Sequence, residues 1–293
     1  MKSIILKGGL GNQLFQLSKF LDLYKRGIKD IKFDATTGFL LDFKYRRKLE
    51  INNLEKNFNF TKHFETTLNL FAVVLYKFCP LLLKILRIKV IDDNNSGDLV
   101  SMTRENIIFC GYFQNFNILD SNLEKVYEIV KPNFRIKKSK KFNNLISEIK
   151  KYDNSIALGI RFYEESNNPQ EHAAVNSKIK RVEDFNRIIK IFEDNLKNPV
   201  FFIFVQNEND YTRGLQFRSK NYVISHANGY RGSWERLSAQ ANCKHHVFNN
   251  STFYYWGASF SRFLNQNKKS DSEIYISDNF VFDQIYNPAW TKF

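Results

Sequence analysis

The chain opens on a short apolar run, Ser3 to Leu6, followed by glycines and then by Leu14, Phe15, Leu17, Phe20, Leu21 and Tyr24. Spacings of three and four put these six on one helix face, so the reading is strand, glycine turn, helix. Ile31-Lys32-Phe33-Asp34 supplies a next strand. The opening is thus a β-α-β unit, which points to an α/β fold.

From Leu68 to Ile91 the chain is unusually apolar, but Lys77, Pro80, Lys84 and Arg87 interrupt it. A spanning helix needs about 20 nearly unbroken apolar residues. A pair of buried or surface-lying helices is expected instead, whose basic residues would let it rest peripherally on an anionic membrane. Asp92 to Gly97 reads as a loop and Ile107 to Gln114 as a strand ending at a glycine and an aromatic pair. A helix is expected near Leu123 to Val130, and Lys131 to Arg135 with the basic run beyond it reads as the approach to a second domain.

Ser155 to Arg161 begins a new strand, and the alternation repeats: a helix around Val182 to Leu196, then Pro199 to Val205, a continuous apolar run suited to a parallel strand covered on both faces. Tyr222-Val223-Ile224 and His246-Val247-Phe248 are shorter strands of this type. With 293 residues, the chain suits two domains of roughly 100 to 200 residues each. They are expected at 1–152 and 153–293.

Composition excludes disorder, with 43% hydrophobic and 16% aromatic residues. A net charge of +14 attracts phosphates, anionic lipid or nucleic acid without choosing among them. The clusters Lys44 to Lys48 and Lys137 to Lys141 read as solvated faces, and neither sits in a nucleic-acid module, so no nucleic-acid partner is expected. Three scattered cysteines, Cys79, Cys110 and Cys243, make neither a disulfide framework nor a zinc pair. Met1 to Leu6 leaves no room for a signal-peptide core of about 7 to 15 apolar residues. The expected location is cytoplasmic, with a peripheral mode on the inner face of the cytoplasmic membrane open to it.

Two segments carry candidate chemistry. In Gly8-Gly9-Leu10-Gly11-Asn12-Gln13, glycines between strand and helix let backbone approach a ligand while amides point outward at the positive helix end. The segment is an anion or sugar cradle, or a plain turn with Asn12 as cap and Gln13 as surface amide. It has no Walker lysine and does not fit G-x-G-x-x-G. In the second segment His246 to Phe248 is a strand, Asn249-Asn250-Ser251 a turn, and Thr252 to Phe263 a helix whose first turn would suit a diphosphate. The plainer alternative is a strand-to-helix cap by Asn250 or Ser251, with Phe253, Trp256 and Phe260 in the core.

Gly8 to Gln16 resembles the N-terminal signature of glycosyltransferase family 11, the α-1,2-fucosyltransferases, which reads very nearly G-G-L-G-N-Q-L-F-Q. Cys243 to Ala258 is similar to a second family pattern, C-K-H-N-I-I-A-N-S-S-F-S-W-W-G-A. The resemblance runs along the whole chain and is weakest from about Asn52 to Asn106. Two other motifs depart from the family. H-x-R-R-G-D-Y falls on Gly159 to Glu165, keeping Arg161 and a carboxylate at Glu164 but placing Gly159, Phe162 and Tyr163 at the His, second Arg and Gly. F-F-I-F-S-D-D becomes Phe201 to Asn207, with Gln206 and Asn207 in place of two carboxylates.

The resemblance implies a GT-B architecture, two Rossmann-like α/β domains facing across a cleft, with the donor on the C-terminal one. It implies an inverting, metal-independent transfer of L-fucose from GDP-β-L-fucose to the 2-hydroxyl of a galactoside-type glycan or lipid-linked oligosaccharide, with the GDP-sugar as co-substrate and no cofactor. The altered motifs leave open another GDP-deoxyhexose such as GDP-colitose, and a non-catalytic glycan-binding or basic interaction protein. Arg161 would pair with the β-phosphate. Asn250, Ser251, Thr252 and Gln206 would hold the donor, and Phe253 and Tyr254 would flank guanine or ribose. Glu164 is the candidate base, or a surface glutamate. Gly9, Gly11, Asn12 and Gln13 would border the acceptor side, with Asn12 close to the chemistry. The last residues, Phe280 to Phe293, are expected to pack back on the N-terminal domain.

Overall fold

Two all-parallel sheets organise the chain in the computed structural model, which describes residues 1–93, 106–135, 139–162, 179–264, 272–280 and 282–293. They belong to two compact units, Met1–Val130 and Lys131–Phe293. The division falls earlier than the expected one at 152/153. The segment past Val130 is tied to the second unit by its own aromatics: Phe134 sits edge-on to Trp234 and Phe260, at 5.3 and 5.4 Å between centroids.

In the first unit β1 (Lys2–Ile5), β2 (Ile31–Asp34), β3 (Ile88–Ile91) and β4 (Asn106–Phe109) lie in the order β2-β1-β4-β3. Helix α1 (Leu10–Lys25) buries Leu10, Leu14, Leu17 and Leu21, and Phe20 stacks on Phe33 of β2 at 4.2 Å. A short α2 (Thr37–Leu40) precedes the apolar hairpin, which forms α3 (His63–Phe78) and α4 (Pro80–Ile85). The break falls where Pro80, which has no amide hydrogen to donate, starts a new helix. The expected hairpin does not extend to Ile91, because its last residues are strand β3, whose Ile88, Val90 and Ile91 enter the sheet core. The strand expected at Ile107 to Gln114 stops at Phe109.

Helix α5 (Phe116–Phe134) leads towards the second unit, where the basic run expected as a linker holds α6 (Lys140–Lys150), capped by the Ser139 hydroxyl. Strands β5 (Ser155–Gly159), β6 (Val200–Phe204), β7 (Asn221–Ile224), β8 (His245–Phe248), β9 (Ile274–Ile276) and β10 (Thr291–Lys292) form a sheet in the order β10-β9-β8-β5-β6-β7. Helices α7 (Val182–Asn195), α8 (Asp210–Arg213), α9 (Ser233–Ala241) and α10 (Thr252–Leu264) complete it. All five residues of β6 are buried, as a parallel strand covered on both faces requires. The C-terminus is built into the second unit: β10 pairs with β9, and Phe293 packs on Phe185 at 5.4 Å in the core over this sheet.

Candidate functional site

In the second sheet the chain runs from β5 outward through β6 and β7, then returns to the other side of β5 for β8. The strand order therefore reverses between β5 and β8, and the carboxyl ends of strands at such a point are where α/β sheets bind ligands. Arg161 lies just past the end of β5, and Asn249 just past the end of β8. The buried Asn249 amide accepts from Arg161 N at 2.8 Å through Oδ1 and donates to Arg161 O at 2.8 Å through Nδ2. This fixes the Arg161 backbone from the neighbouring strand. The guanidinium in turn donates from Nη1 to Gln206 Oε1 at 3.0 Å. Because Gln206 is neutral, the contact orients the guanidinium without cancelling its charge.

Gly159 is where a side chain cannot be placed. An added Cβ would lie 2.5 Å from the ring of Tyr254. Tyr254 is buried, and its hydroxyl reaches Phe204 O at 2.8 Å and Ile160 O at 3.2 Å. The ring therefore belongs to the floor of the strand ends and does not flank guanine or ribose, contrary to the sequence reading. Beside it the buried Arg236 of α9 donates to Val205 O at 2.9 Å and Tyr230 O at 3.0 Å, and among the described residues to no carboxylate. Burial lowers its pKa, with Tyr254 opposing and Arg161 adding to the fall, but a guanidinium stays protonated. A second positive charge is thus buried near Arg161. The sequence reading missed Arg236, which no local motif marks.

Asn250 and Ser251 are buried, and Thr252 and Phe253 are half-buried at the start of α10. The turn brings this helix start directly after Asn249, and the Asn250 amide lies 3.5 Å from Asn279 O. Trp256 and Phe260 are core residues, as the plainer alternative for this segment had it. Glu164, the candidate base, and Tyr163 lie outside the described residues.

In the first unit the strand order reverses between β1 and β4, and an amide again spans the two strand ends. Gln16 accepts from Lys7 N at 3.0 Å and donates to Gly111 O at 3.1 Å. Gly8 has φ +74°, a left-handed conformation that favours glycine, and its Cβ position lies close to Asn12 and Tyr112. Gln13 is not the expected ligand-facing amide. It is fully buried and latches the loop to the 48–50 segment, donating to Gly8 O and Lys48 O and accepting from Glu50 N, each at 2.9 Å.

The anion cradle expected there is filled by the chain itself, since Glu50 Oε1 accepts from Leu10 N at 3.0 Å at the start of α1. A carboxylate thus already satisfies one amide of that helix end. Asn12 is half-buried and accepts from Gln114 at 3.1 Å. The Arg47 guanidinium carbon would lie 4.0 Å from a Cβ at Gly9, so at least one cation of the Lys44 to Lys48 cluster borders the glycine loop. Gly9 is half-buried and Gly11 buried.

The two units, each built on a parallel sheet with helices, give an α/β architecture. The sequence relationship is to glycosyltransferases: the chain is similar to the O-antigen biosynthesis glycosyltransferase WbnK of Escherichia coli, 22% identical over 304 residues that cover 94% of this chain and 95% of the relative. It is also similar to the alpha-1,2-colitosyltransferase of Escherichia coli, 26% identical over 270 residues, 86% of this chain and 85% of the relative. No protein-family model matches the sequence.

Similar solved structures include a glycosyl transferase family 9 protein from Veillonella parvula, with a TM-score of 0.39 and 10% identity over 94% of this chain and 80% of that one. Another is an Arabidopsis thaliana FUT1 mutant in complex with GDP, with a TM-score of 0.46 and 13% identity over 93% of this chain and 69% of that one. Among the described residues no helix is long and apolar enough to cross a membrane.

Proposed function

We propose that the chain is a glycosyltransferase of the family 11 kind that moves a deoxyhexose from a GDP-sugar to a hydroxyl of a glycan or lipid-linked oligosaccharide in bacterial surface-polysaccharide synthesis. The observation that carries this reading is Arg161 at the sheet's reversal point, its backbone clamped by Asn249 and its guanidinium aimed by a neutral partner. A diphosphate placed there would meet Arg161, the start of α10 and the field of the buried Arg236. Phe253 is the half-buried aromatic left to stack on the nucleoside.

In the proposed step an acceptor oxygen bonds to the anomeric carbon as its bond to the β-phosphate oxygen breaks. GDP leaves with the bonding pair, the acceptor proton passes to a base, and the anomeric centre inverts. Glu164 is the proposed base. Negative charge grows on the diphosphate, so Arg161 acts most strongly in the transition state. No resident metal is invoked. Asn12, Gly9 and Gly11 are the proposed acceptor-side residues, and Gln13 acts only by holding their loop.

The first donor reading is GDP-β-L-fucose with transfer to a galactoside 2-hydroxyl. A second is GDP-colitose, favoured by the Tyr254 ring over Gly159, which offers an apolar surface where the resemblance expects a histidine, and by the name of one relative. Incubating the protein with each GDP-sugar and a simple galactoside, in EDTA, and weighing the product separates the two by one oxygen atom. GDP should also raise the melting temperature, because it binds only the folded state. Absence of both GDP stabilisation and product with every GDP-sugar tried would overturn the reading.

A further inference from the structure

Among the described residues, most of the large apolar side chains exposed to solvent gather on one feature of the first unit, with Tyr24, Leu40 and Phe43 lying elsewhere. Phe64, Phe71, Val74 and Phe78 of α3 and Leu81 and Ile85 of α4 are all exposed, with Phe64 78%, Phe78 82% and Ile85 76% accessible. On α3 these positions follow helical spacing along one face, while Asn69, Ala72 and Val73 on the opposite face are buried against the unit's core. The helix is therefore apolar on both sides, and its outer face has no partner within the described chain. A patch of this kind marks an interaction surface.

Charge selects what covers it. From Lys62 to Lys89 the sequence has five cations, Lys62, Lys77, Lys84, Arg87 and Lys89, and one carboxylate, Glu65. Glu65 is already engaged, by Lys32 at 2.6 Å and by the Lys62 amide at 2.8 Å. Lys77, Lys84 and Arg87 are exposed among the apolar residues. A second copy of the same face would set these cations against their own kind. A bilayer with anionic headgroups accepts both the phenylalanines and the charges, since long cationic side chains reach the headgroup level from a helix lying in the interface. Neither helix is of spanning length, α3 having 16 residues and α4 six.

We propose that the α3–α4 hairpin is a monotopic anchor that lies in the interface of an acidic phospholipid membrane, with Phe71, Val74, Phe78, Leu81 and Ile85 in the acyl boundary and Lys77, Lys84 and Arg87 on the headgroups. The proposal is independent of the donor reading, because binding is measured without sugar.

The test is flotation of the full chain with vesicles of phosphatidylcholine alone and of phosphatidylcholine with phosphatidylglycerol, alongside light scattering for molar mass. Binding is expected only to the acidic vesicles and should weaken with salt. Each cation near the surface accounts for about fivefold in partitioning, so Lys77→Glu/Lys84→Glu/Arg87→Glu should lose roughly a hundredfold or more. Phe71→Ser/Phe78→Ser should lose at least about tenfold. Both sets replace exposed groups, so unchanged melting temperatures show that the fold survives.

Failure of the wild-type chain to float with acidic vesicles would overturn the proposal. So would wild-type binding by the phenylalanine variant. A stable dimer abolished by Phe78→Ser, with no vesicle binding, would assign the face to self-association instead.

Discussion

Asn249 holds the backbone of Arg161 from across the sheet, accepting from its amide and donating to its carbonyl at 2.8 Å each. Asn249 is fully buried, so neither bond is exchanged with water. The family resemblance has alanine at this position, and Asn249→Ala is therefore a small change in shape that removes both bonds. It is expected to cost about 1–3 kcal/mol in urea unfolding, since it strands polar backbone next to a buried site. It should also weaken GDP binding, because the Arg161 side chain is aimed from that backbone. A stability loss with unaltered GDP affinity would make Asn249 structural alone.

Gly159 and Tyr254 form a second matched pair, with no room for a Cβ at Gly159 beneath the ring. Gly159→Ala should be destabilising by about 1–3 kcal/mol through overpacking. Tyr254→Ser empties the space and leaves buried carbonyls of Phe204 and Ile160 without their hydroxyl, so it too should destabilise. Gly159→His/Tyr254→Ser restores the family's residues at both positions and should be more stable than the sum of the single changes. A double-mutant cycle measures the coupling, expected at about 0.5–3 kcal/mol. Strict additivity would show that the two positions were exchanged independently.

These two pairs also mark where sequence reading stops. The strands β2, β5 and β6 and the helices α1, α7 and α10 were legible because each is one continuous apolar run or one clean helical stripe. Strand β3 was not, since Ile88 to Ile91 continues an apolar helical hairpin without a break in composition. Helix α6 was hidden inside a basic run, its buried face being only Phe142, Leu145 and Ile149. In the site, Arg161 and Gln206 stood out by type and place, and the structure joins them. Asn249 and Tyr254 lie within Cys243 to Ala258, a segment whose overall likeness to the family masks both as departures. Only the spatial pairing of a lost side chain at Gly159, the end of β5, with a gained ring at Tyr254 in the first turn of α10 makes those two positions one change, and they lie far apart in sequence.

Gln206 tests the electrostatic part of the donor reading. Its Oε1 accepts a hydrogen bond from Arg161 Nη1 at 3.0 Å without adding negative charge. Gln206→Asp keeps an acceptor there and introduces a carboxylate where the diphosphate is proposed to bind. GDP affinity should fall on the order of tenfold, with the loss largest at low salt. Arg161→Ala should lower turnover on the order of a hundredfold or more, as removal of a group that meets charge developing in the transition state does. Isothermal titration with GDP and initial rates measure the two effects. Stronger GDP binding by Gln206→Asp would place the diphosphate elsewhere.

His246 gives the fold an acid-sensitive point. It is buried in β8, and burial pushes its pKa down from 6.5 to about 3, with neighbouring His245 adding to the fall. The folded chain keeps this imidazole neutral, whereas the unfolded chain protonates it below about 6.5. Between those values the unfolded state binds the extra proton, so stability falls as pH falls. The limiting slope is about 1.4 kcal/mol per pH unit, which makes the loss roughly 2 kcal/mol on going from about pH 8 to pH 5. Denaturation midpoints at the two pH values read this directly. His246→Asn, the residue the resemblance places there, has nothing to titrate and should remove that share of the acid slope; an identical slope in the variant would trace the acid sensitivity to other groups.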